Sequence, residues 1–273
     1  MKMKFISLSL IFCIQLLIGY TNSIAQTTSP AEVWGGQAEF KSLLMHEMQY
    51  PTTEFLKGIQ GDVQIAIMID SQGNTQNIQI YKSLNPSLDR EALRLVKMLM
   101  WLPANNNQKP VADKRILTIK FSKKKYKKYC KKRGYSLIPQ TDKPIDESYK
   151  VYGLKYVDQL PKAIFDDKSK SINDYLVENF KYPLSALDNG IEGVVELDYI
   201  IEANGHISNI KPVKSLGAGC TEEAIRLLKS ISWSPAIKNN QLVRVKHRFK
   251  LMFNLDEKSA SFDYMHNFQN SSF

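Results

Sequence analysis

The chain has 273 residues, a length typical of two domains of ordinary size, and a formal net charge of +10 at pH 7. Lys2 and Lys4 contribute two of these charges and the stretch Lys123–Arg133 contributes eight, so the rest of the chain is close to neutral. Because the basic charge is confined to one short stretch, it does not indicate a nucleic-acid-binding face on either domain, and no nucleic acid is expected as a partner.

Residues 1–25 have the pattern of a secretory signal peptide. Lys2 and Lys4 precede an apolar run over residues 5–20, and Ser23-Ile24-Ala25 places small residues at the two positions that a signal peptidase reads. We expect cleavage after this motif. The alternative is an uncleaved membrane anchor, but the run is short for a span of about 20 residues and Gln15 interrupts it.

The remainder of the chain contains one pattern twice, at a constant offset of 132 residues between positions 50 and 121. Tyr50-Pro51 recurs as Tyr182-Pro183. The other matched segments are Gly58-Ile59-Gln60-Gly61 with Gly190-Ile191-Glu192-Gly193, Gly73 with Gly205, Ser83-Leu84 with Ser215-Leu216, Trp101-x-Pro103-Ala104 with Trp233-x-Pro235-Ala236, and Phe121 with Phe253. Such a repeat indicates a tandem duplication of one domain.

Each copy begins with a helical segment, followed by two strands. Apolar residues at helical spacing precede Tyr50-Pro51 and Tyr182-Pro183, where proline is expected to end the helix. They are Phe40, Leu43, Leu44 and Met48 in the first copy, and Ile172, Tyr175, Leu176 and Phe180 in the second. Alternating apolar residues then predict a strand over 63–69 and 195–201, joined to a second strand by a tight turn at Gly73 or Gly205.

A second helix and a third strand complete the predicted unit. The helix is expected over residues 90–100 and 222–232, with Asp89 and Thr221 as N-caps, and the strand over 114–121 and 246–253. The helix carries the chain back along the sheet, so the first strand lies in the centre and the other two are edges. Pro212 supports an edge position for the second strand, because proline has no N–H to donate.

With these residues placed, both copies resemble the C-terminal domain of the TonB energy-transducer family, in the form common among Bacteroidetes-like proteins. The resemblance rests on Gln49-Tyr50-Pro51, the glycine segment that leads into the first strand, "SLNPSLDREALRLVK" and Trp101-Leu102-Pro103-Ala104. In the second copy it rests on Tyr182-Pro183, "NGIEGVVELDYIIEANG", "EEAIRLLKS" and Trp233-Ser234-Pro235-Ala236. Trp34-Gly35-Gly36 resembles the Pro-Gly-Gly start of such domains and has no counterpart in the second copy.

The resemblance implies an α+β fold of two tandem TonB-C-like domains, each a three-stranded antiparallel sheet covered on one face by two helices. Domain 1 is expected over residues 34–122 and domain 2 over 159–255. A basic linker is expected over 123–158 and a flexible tail over 256–273. Each copy contains a complete apolar set and is expected to fold independently.

The resemblance also implies a periplasmic protein in transmembrane transport, whose partners are TonB-dependent outer-membrane transporters. Their TonB box, a short extended peptide, adds to an exposed sheet edge. We expect this edge to be the third strand, since Pro212 blunts the second strand. Its outward residues are Ile116, Thr118 and Lys120 in domain 1, and Arg248, Lys250 and Met252 in domain 2. Gln49, Tyr50, Pro51, Tyr182 and Pro183 would lie beside the bound peptide, although a helix stop with a buried ring explains them equally well.

The chain departs from the family's transducers at its N-terminus. These have an uncleaved inner-membrane helix with a histidine that contacts a motor, and a long proline-rich spacer; here residues 1–20 lack histidine, and Pro30 is the only proline in the gap before domain 1. If the N-terminus stays uncleaved, inner-membrane motor proteins become expected partners. The alternatives are a soluble envelope adaptor that docks peptides, or a structural module that binds cell wall or membrane surface, both without energy transduction.

The remaining reactive and charged residues show no catalytic pattern. The histidines at positions 46, 206, 247 and 266 lack metal-ligand spacing, and no nucleophile–base arrangement is present, so we expect no enzyme activity, metal or cofactor. The spacing of Cys130 and Cys220 permits a disulfide without requiring one. The stretch Lys123–Arg133 is either a solvated, mobile linker or a contact with an anionic envelope surface such as lipid headgroups.

We predict that the exported protein begins at Gln26, because signal peptidase cuts after small residues that follow an apolar segment. Intact-mass spectrometry of protein isolated from the periplasm measures this N-terminus directly. A mature chain that still begins at Met1 or Lys2 would contradict the cleavage and favour the membrane-anchored form.

Overall fold

A computed structural model describes residues 28–135, 143–165, 171–255 and 259–262, with side chains described as far as residue 255. The predicted signal peptide lies outside the described residues. In the described ranges, no helix combines the length and the apolar character needed to cross a membrane.

Domain 1 contains four helices and eight strands in its described part. The helices are α1 (Gly36–Glu47), α2 (Thr52–Lys57), α3 (Pro86–Lys97) and α4 (Lys123–Arg133). The strands are β1 (Thr28–Ser29), β2 (Glu32–Val33), β3 (Gly61–Ile69), β4 (Thr75–Lys82), β5 (Trp101–Leu102), β6 (Ala104–Asn106), β7 (Lys109–Val111) and β8 (Asp113–Phe121).

Domain 2 repeats this order with additional strands. Its helices are α5 (Ile172–Asn179), α6 (Leu184–Asp188) and α7 (Cys220–Ser230), with a 3-10 helix at Leu154–Tyr156. Its strands are β9 (Val151–Gly153), β10 (Lys162–Ile164), β11 (Gly193–Ile201), β12 (Ile207–Lys214), β13 (Ser232–Ser234), β14 (Ala236–Lys238), β15 (Gln241–Asn254) and β16 (Ser259–Phe262).

The main sheets confirm the predicted strand order. β3 lies between β4 and β8, and β11 lies between β12 and β15, with antiparallel pairing throughout. The register also repeats, since Val63 is opposite Ile119 and Val195 is opposite Leu251. The inward residues of each central strand are fully buried under the helices, as the period-two pattern predicted. Each domain therefore has its own hydrophobic core.

Among the described residues, the third strand has no strand on its outer edge in domain 1, whereas other strands pair along part of it in domain 2. β9 pairs with residues 244–246 of β15 and β16 pairs with residues 251–254, so the prediction of an open edge over Lys246–Phe253 is wrong at both ends of that range and leaves only residues 247–250. The reason is that segments before and after the repeated unit supply strands that domain 1 lacks. The tail expected to be flexible from residue 256 accordingly contains β16.

The predicted caps of the second helix were wrong in both copies. α3 begins earlier, at Pro86, and Asn85 accepts hydrogen bonds from the first turn. Asp89 instead accepts from the backbone N of Leu84 at 3.1 Å, and Thr221 accepts from that of Leu216 at 3.0 Å. Both residues therefore hold the strand-to-helix connection.

The prolines also end the first helices less directly than expected. α1 and α5 finish at Glu47 and Asn179, and Pro51 and Pro183 are then the N-caps of the short helices α2 and α6.

The basic stretch expected to begin a linker forms α4, which packs on domain 1. Tyr126 and Tyr129 are buried against the core of domain 1. Ser122 accepts a hydrogen bond at the N-terminus of α4, and Gly134 ends it with a φ of 81°. The two cysteines of the described ranges are free thiols.

We predict that domain 2 loses stability as the pH falls below 6.5. His247 is buried beside Tyr199 and Trp233, and burial lowers its pKa from 6.5 to about 4. The unfolded chain takes up a proton near pH 6.5, whereas the folded domain does so only near pH 4, so this contribution is complete above pH 6.5 and is lost on acidification. The expected loss at pH 4 is about 3 kcal/mol.

Denaturant titration at pH 7 and pH 4 measures this loss in the wild type and in His247→Gln, whose side chain does not titrate. The variant should show a correspondingly smaller difference between the two pH values. Arg115→Gln at the equivalent position of domain 1 is the control and should keep the wild-type pH dependence. Equal losses in His247→Gln and the wild type would assign the effect to another group.

Candidate functional site

In domain 1, the outer edge of β8 carries no other strand in the part of the chain that the structure describes. β8 pairs only through its inner edge, in nine consecutive pairs with β3. The predicted binding residues Ile116, Thr118 and Lys120 are exposed beside this edge, and Ile116 is 49% exposed although it is apolar. The outward N–H and C=O groups of β8 are therefore accessible to an added strand.

In domain 2, strands of the same chain occupy most of the corresponding edge. β9 pairs in parallel with residues 244–246, and β16 pairs antiparallel with residues 251–254. Met252 lies opposite Ser261, so a strand added there would first have to displace β16. Residues 247–250 remain between the two, and four residues are fewer than in an average strand.

The other two predicted residues on the third strand of domain 2, Arg248 and Lys250, take part in ion pairs within the sheet. Arg248 Nε lies 2.6 Å from Asp198 Oδ1, and Lys250 Nζ lies 3.6 Å from Glu196 Oε1. Burial would raise the pKa of Asp198, but hydrogen bonds from Arg248 and Lys246 outweigh burial and lower the pKa. This face is therefore an internal network of paired charges.

The tyrosines of the two Tyr-Pro segments hold the chain just before the central strand. The Tyr50 hydroxyl donates to the carbonyl of Ile59, and the Tyr182 hydroxyl donates to that of Ile191 at 2.8 Å. The Tyr50 ring is 3% exposed and packs edge-on against Phe121. The buried-ring explanation therefore accounts for Tyr50.

The residues beside the tyrosines remain partly accessible. Gln49 and Pro51 line an open groove of about 480 Å³ between the start of α2 and α3, and Pro183 is partly exposed. A role beside a bound peptide stays a prediction for these residues and for both tyrosines.

A glutamate–arginine pair in each domain fixes the residue before the tyrosine. Glu91 Oε1 accepts from the backbone N–H of Gln49 at 2.7 Å, and Arg94 pairs with the same carboxylate. Glu223 accepts from the equivalent N–H at 2.8 Å and pairs with Arg226. Each arginine also donates to the carbonyl at the end of the preceding long helix. These pairs were not predicted from the sequence, although they recur at the offset that revealed the repeat.

The two domains contact each other through Trp34, which the sequence analysis had placed at the start of domain 1. Its indole N–H donates to Trp101 O at 3.0 Å, within domain 1. Lys211 and Lys246 of domain 2 place their ammonium groups 5.1 and 5.2 Å from the centroid of its ring. Gly35 follows with a φ of 67°, and a Cβ there would lie 2.3 Å from a carbonyl of β12, so this approach requires glycine.

A buried ion pair of domain 2 also binds domain 1. Arg244 and Glu202 are 3% and 1% exposed, with Arg244 Nε 2.6 Å from Glu202 Oε2. Arg244 donates further to Met98 O in domain 1 at 2.7 Å and to Tyr149 O, between the domains, at 2.9 Å. The guanidinium is therefore satisfied only when both neighbouring segments are in place.

Asn209 makes the third contact, from a β-bulge in β12. Its Nδ2 donates to Met98 O at 3.0 Å and its Oδ1 accepts from Met100 N at 2.8 Å. It is buried and has a φ of 52°. The equivalent Asn77 has the same bulge and a φ of 50° but is exposed.

A cluster around Glu47 forms a fourth contact between the domains. Asn204 Nδ2 donates to Glu47 Oε1 at 3.0 Å, and His206 Nδ1 lies 3.6 Å from the same oxygen. The Tyr135 ring stacks on His206. Burial would raise the pKa of Glu47, but hydrogen bonds from His206 and Asn204 outweigh it, and the pKa is lowered. Among the described residues, no group of three or more His, Cys, Asp or Glu is placed to hold a metal ion.

The family comparison matches both halves of the chain. The family model described as Gram-negative bacterial TonB protein C-terminal matches residues 46–122 and 178–255, which together make up more than half of the chain. The matched segments contain both Tyr-Pro segments, both glutamate–arginine pairs and both third strands.

Two curated relatives are similar over a shorter stretch. They are Protein TonB from strains B100 and ATCC 33913 of Xanthomonas campestris pv. campestris, each 35% identical over 60 residues. The match covers 22% of this chain and 27% of each relative, so the chain spans about a quarter of the relatives' length. The solution structure of Helicobacter pylori TonB-CTD is 19% identical, covers 31% of this chain and 79% of its own, and has a TM-score of 0.24.

We predict that Asn209→Gly weakens the contact between the domains and Asn77→Gly does not. Glycine keeps the positive φ at both positions, so only the side-chain hydrogen bonds are lost. In Asn209→Gly, Met98 O and Met100 N lose a buried partner, which should lower the free energy of unfolding by about 1–3 kcal/mol. Denaturant titration of the two variants measures the difference. Equal effects would show that the bulge, and not the interdomain contact, is responsible.

Proposed function

Because this chain belongs to the family of Gram-negative bacterial TonB protein C-terminal domains, we propose that domain 1 binds the TonB box of an outer-membrane transporter along the outer edge of β8. The proposal places the protein in the periplasm and assigns it no catalysis of its own. The observation that carries it is the nine-residue edge of β8, which has no partner strand in the described chain.

The physical basis is strand addition. Main-chain hydrogen bonds of an incoming peptide give affinity, and side chains beside the edge give selectivity. Nine residues exceed the five or six of an average strand, so β8 can pair with the whole of a short peptide. Lys114 and Lys120 are exposed near the two ends of β8 and favour an acidic peptide.

Domain 2 supports the proposal by contrast. Its own β9 and β16 occupy both ends of the equivalent edge and leave only residues 247–250, and its cations pair with Asp198 and Glu196. We therefore expect one peptide to bind to each chain, at domain 1, while domain 2 holds domain 1 in place. An energy transducer and an adaptor that docks peptides without transmitting force would both use this edge.

We predict that proline at the edge of β8 weakens TonB-box binding at least about tenfold. Strand N–H groups alternate in direction, so proline is placed separately at Thr118 and at Leu117. One of these two residues has its N–H on the outer edge in the wild type, and proline at that residue should leave domain 1 folded and weaken binding. The loss follows from one missing donor and from the pyrrolidine ring at the edge. Fluorescence anisotropy with a labelled TonB-box peptide measures affinity, and circular dichroism checks the fold.

Lys250→Pro is the matched control, because residue 250 pairs with Glu196 as residue 118 pairs with Gln64. The N–H of residue 250 therefore has the same direction relative to its sheet as the N–H of residue 118, but it lies on the edge of β15 that β9 and β16 flank. This variant should bind the peptide as the wild type does. Binding that survives both proline changes in a folded domain 1 would exclude β8 and favour β4 or the groove at Gln49 and Pro51.

A further inference from the structure

In α4, most lysines of the basic stretch lie together on the side of the helix that faces away from domain 1. Six of its lysines are exposed: Lys124, Lys125, Lys127, Lys128, Lys131 and Lys132. At 100° per residue they spread over an arc of about 160°. The opposite side of the helix carries Tyr126, Tyr129 and Arg133, which face domain 1. The helix therefore presents a continuous cationic face to solvent.

The helix is fixed to domain 1 by its other side. Arg133 donates to the carbonyls of Met45, His46 and Met48 near the end of α1, at distances of 3.3, 3.0 and 2.8 Å. Its guanidinium also lies 4.7 Å from the centroid of the Tyr135 ring. The only arginine of α4 is thus used inside the protein. Two of its lysines also lie over rings of domain 1: Lys123 Nζ is 4.9 Å from the centroid of the Phe55 ring, and Lys125 Nζ is 5.6 Å from that of Tyr129.

The charge pattern of α4 opposes helix stability. Lys123, Lys124 and Lys125 lie in the first turn, where the helix dipole favours negative charge, and the helix contains no acidic residue. Pairs such as Lys124–Lys128 repel each other at i, i+4 spacing. Within the described ranges, none of the six exposed lysines has an ion-pair partner. A charge pattern that costs stability and is not neutralised within the described ranges indicates a role outside the fold.

We infer that α4 attaches domain 1 to an anionic lipid bilayer through these six lysines. Lysine is a compact, strongly hydrated charge on a flexible stem and does not require the fork geometry that arginine offers to a single carboxylate or phosphate. It therefore suits the diffuse negative charge of lipid headgroups. The tyrosines are buried in domain 1, so the attachment is electrostatic, without inserted side chains, and weakens with salt.

This inference goes beyond peptide binding and does not depend on it. Ser122 is the only residue between β8 and α4. A bilayer contact on α4 would therefore hold the edge of β8 close to a membrane surface.

The test uses the mature chain from Gln26 to Phe273 and vesicles of phosphatidylcholine, alone or with equal parts of phosphatidylglycerol. Cosedimentation at low salt should show binding to the anionic vesicles only. Replacing Lys124, Lys127, Lys128 and Lys131 with glutamine should weaken it about a hundredfold or more, since each lysine near an anionic surface contributes about a fivefold effect. The same four positions changed to arginine should retain binding.

The control replaces four exposed lysines elsewhere in domain 1, Lys41, Lys57, Lys82 and Lys97, with glutamine. It removes the same charge and should leave vesicle binding within about threefold of the wild type. Three results would overturn the inference: no binding of the wild type to anionic vesicles, equal losses in both glutamine variants, or wild-type binding to soluble polyglutamate that matches its binding to vesicles. The last result would assign α4 to an acidic polypeptide.

Discussion

The guanidinium of Arg244 joins the two domains. It is buried, and some of its N–H groups find their hydrogen-bond acceptors outside domain 2. Glu202 neutralises its charge, and its remaining hydrogen bonds go to carbonyls of Met98 and Tyr149. A buried ion pair is stable only when its other donors and acceptors are also satisfied, and removal of one partner typically costs about 3–5 kcal/mol. The cores of the two domains are separate, but this pair is complete only when they are docked.

The contact between the domains explains why the two sheets differ on the face turned away from their own helices: this face is buried in domain 2 and partly exposed in domain 1. Asp198, Ile200 and Glu202 lie on that side of β11 or just after it and are buried, whereas the equivalent side of β3 is partly exposed. Trp34 and its flanking glycine cover the face, and Asn209 binds the end of the segment after α3. Two copies that share a fold therefore differ in role: one presents its sheet edge, and the other is covered by its own chain and by its neighbour.

Both proposed surfaces belong to domain 1. β8 offers backbone groups and α4 offers charge, and a single residue separates them along the chain. The buried glutamate–arginine pairs serve neither surface directly. They hold the Tyr-Pro segments, whose tyrosines bind the chain just before each central strand, and the central strand β3 is the one that pairs with β8.

The sequence by itself determined the parts that depend on local pattern. Period-two and helical spacing gave the order of elements, the central position of β3 and β11, and the inward residues of each, because burial of alternate residues leaves a direct trace in sequence. The repeat gave the domain count. The same pattern predicted the exposure of Ile116, Thr118 and Lys120 on β8, an edge strand of the described sheet, whereas their role in binding stays a prediction.

Only the tertiary structure decided what depends on contacts between distant segments. The closed edge of β15 comes from β9 and β16, which lie outside the repeated unit, and no periodicity links them to it. The hydrogen bonds of several side chains depend on which backbone groups approach them in three dimensions. This holds for Asp89, Thr221 and Trp34, and for Asn209, whose equivalent Asn77 is exposed. The sequence shows a side chain that can accept or donate a hydrogen bond, but the fold decides which partner it meets. Asp89 and Thr221 bind backbone groups only five residues away, and Asn209 binds Met98 more than a hundred residues away, and neither kind of contact leaves a periodic pattern in a single chain.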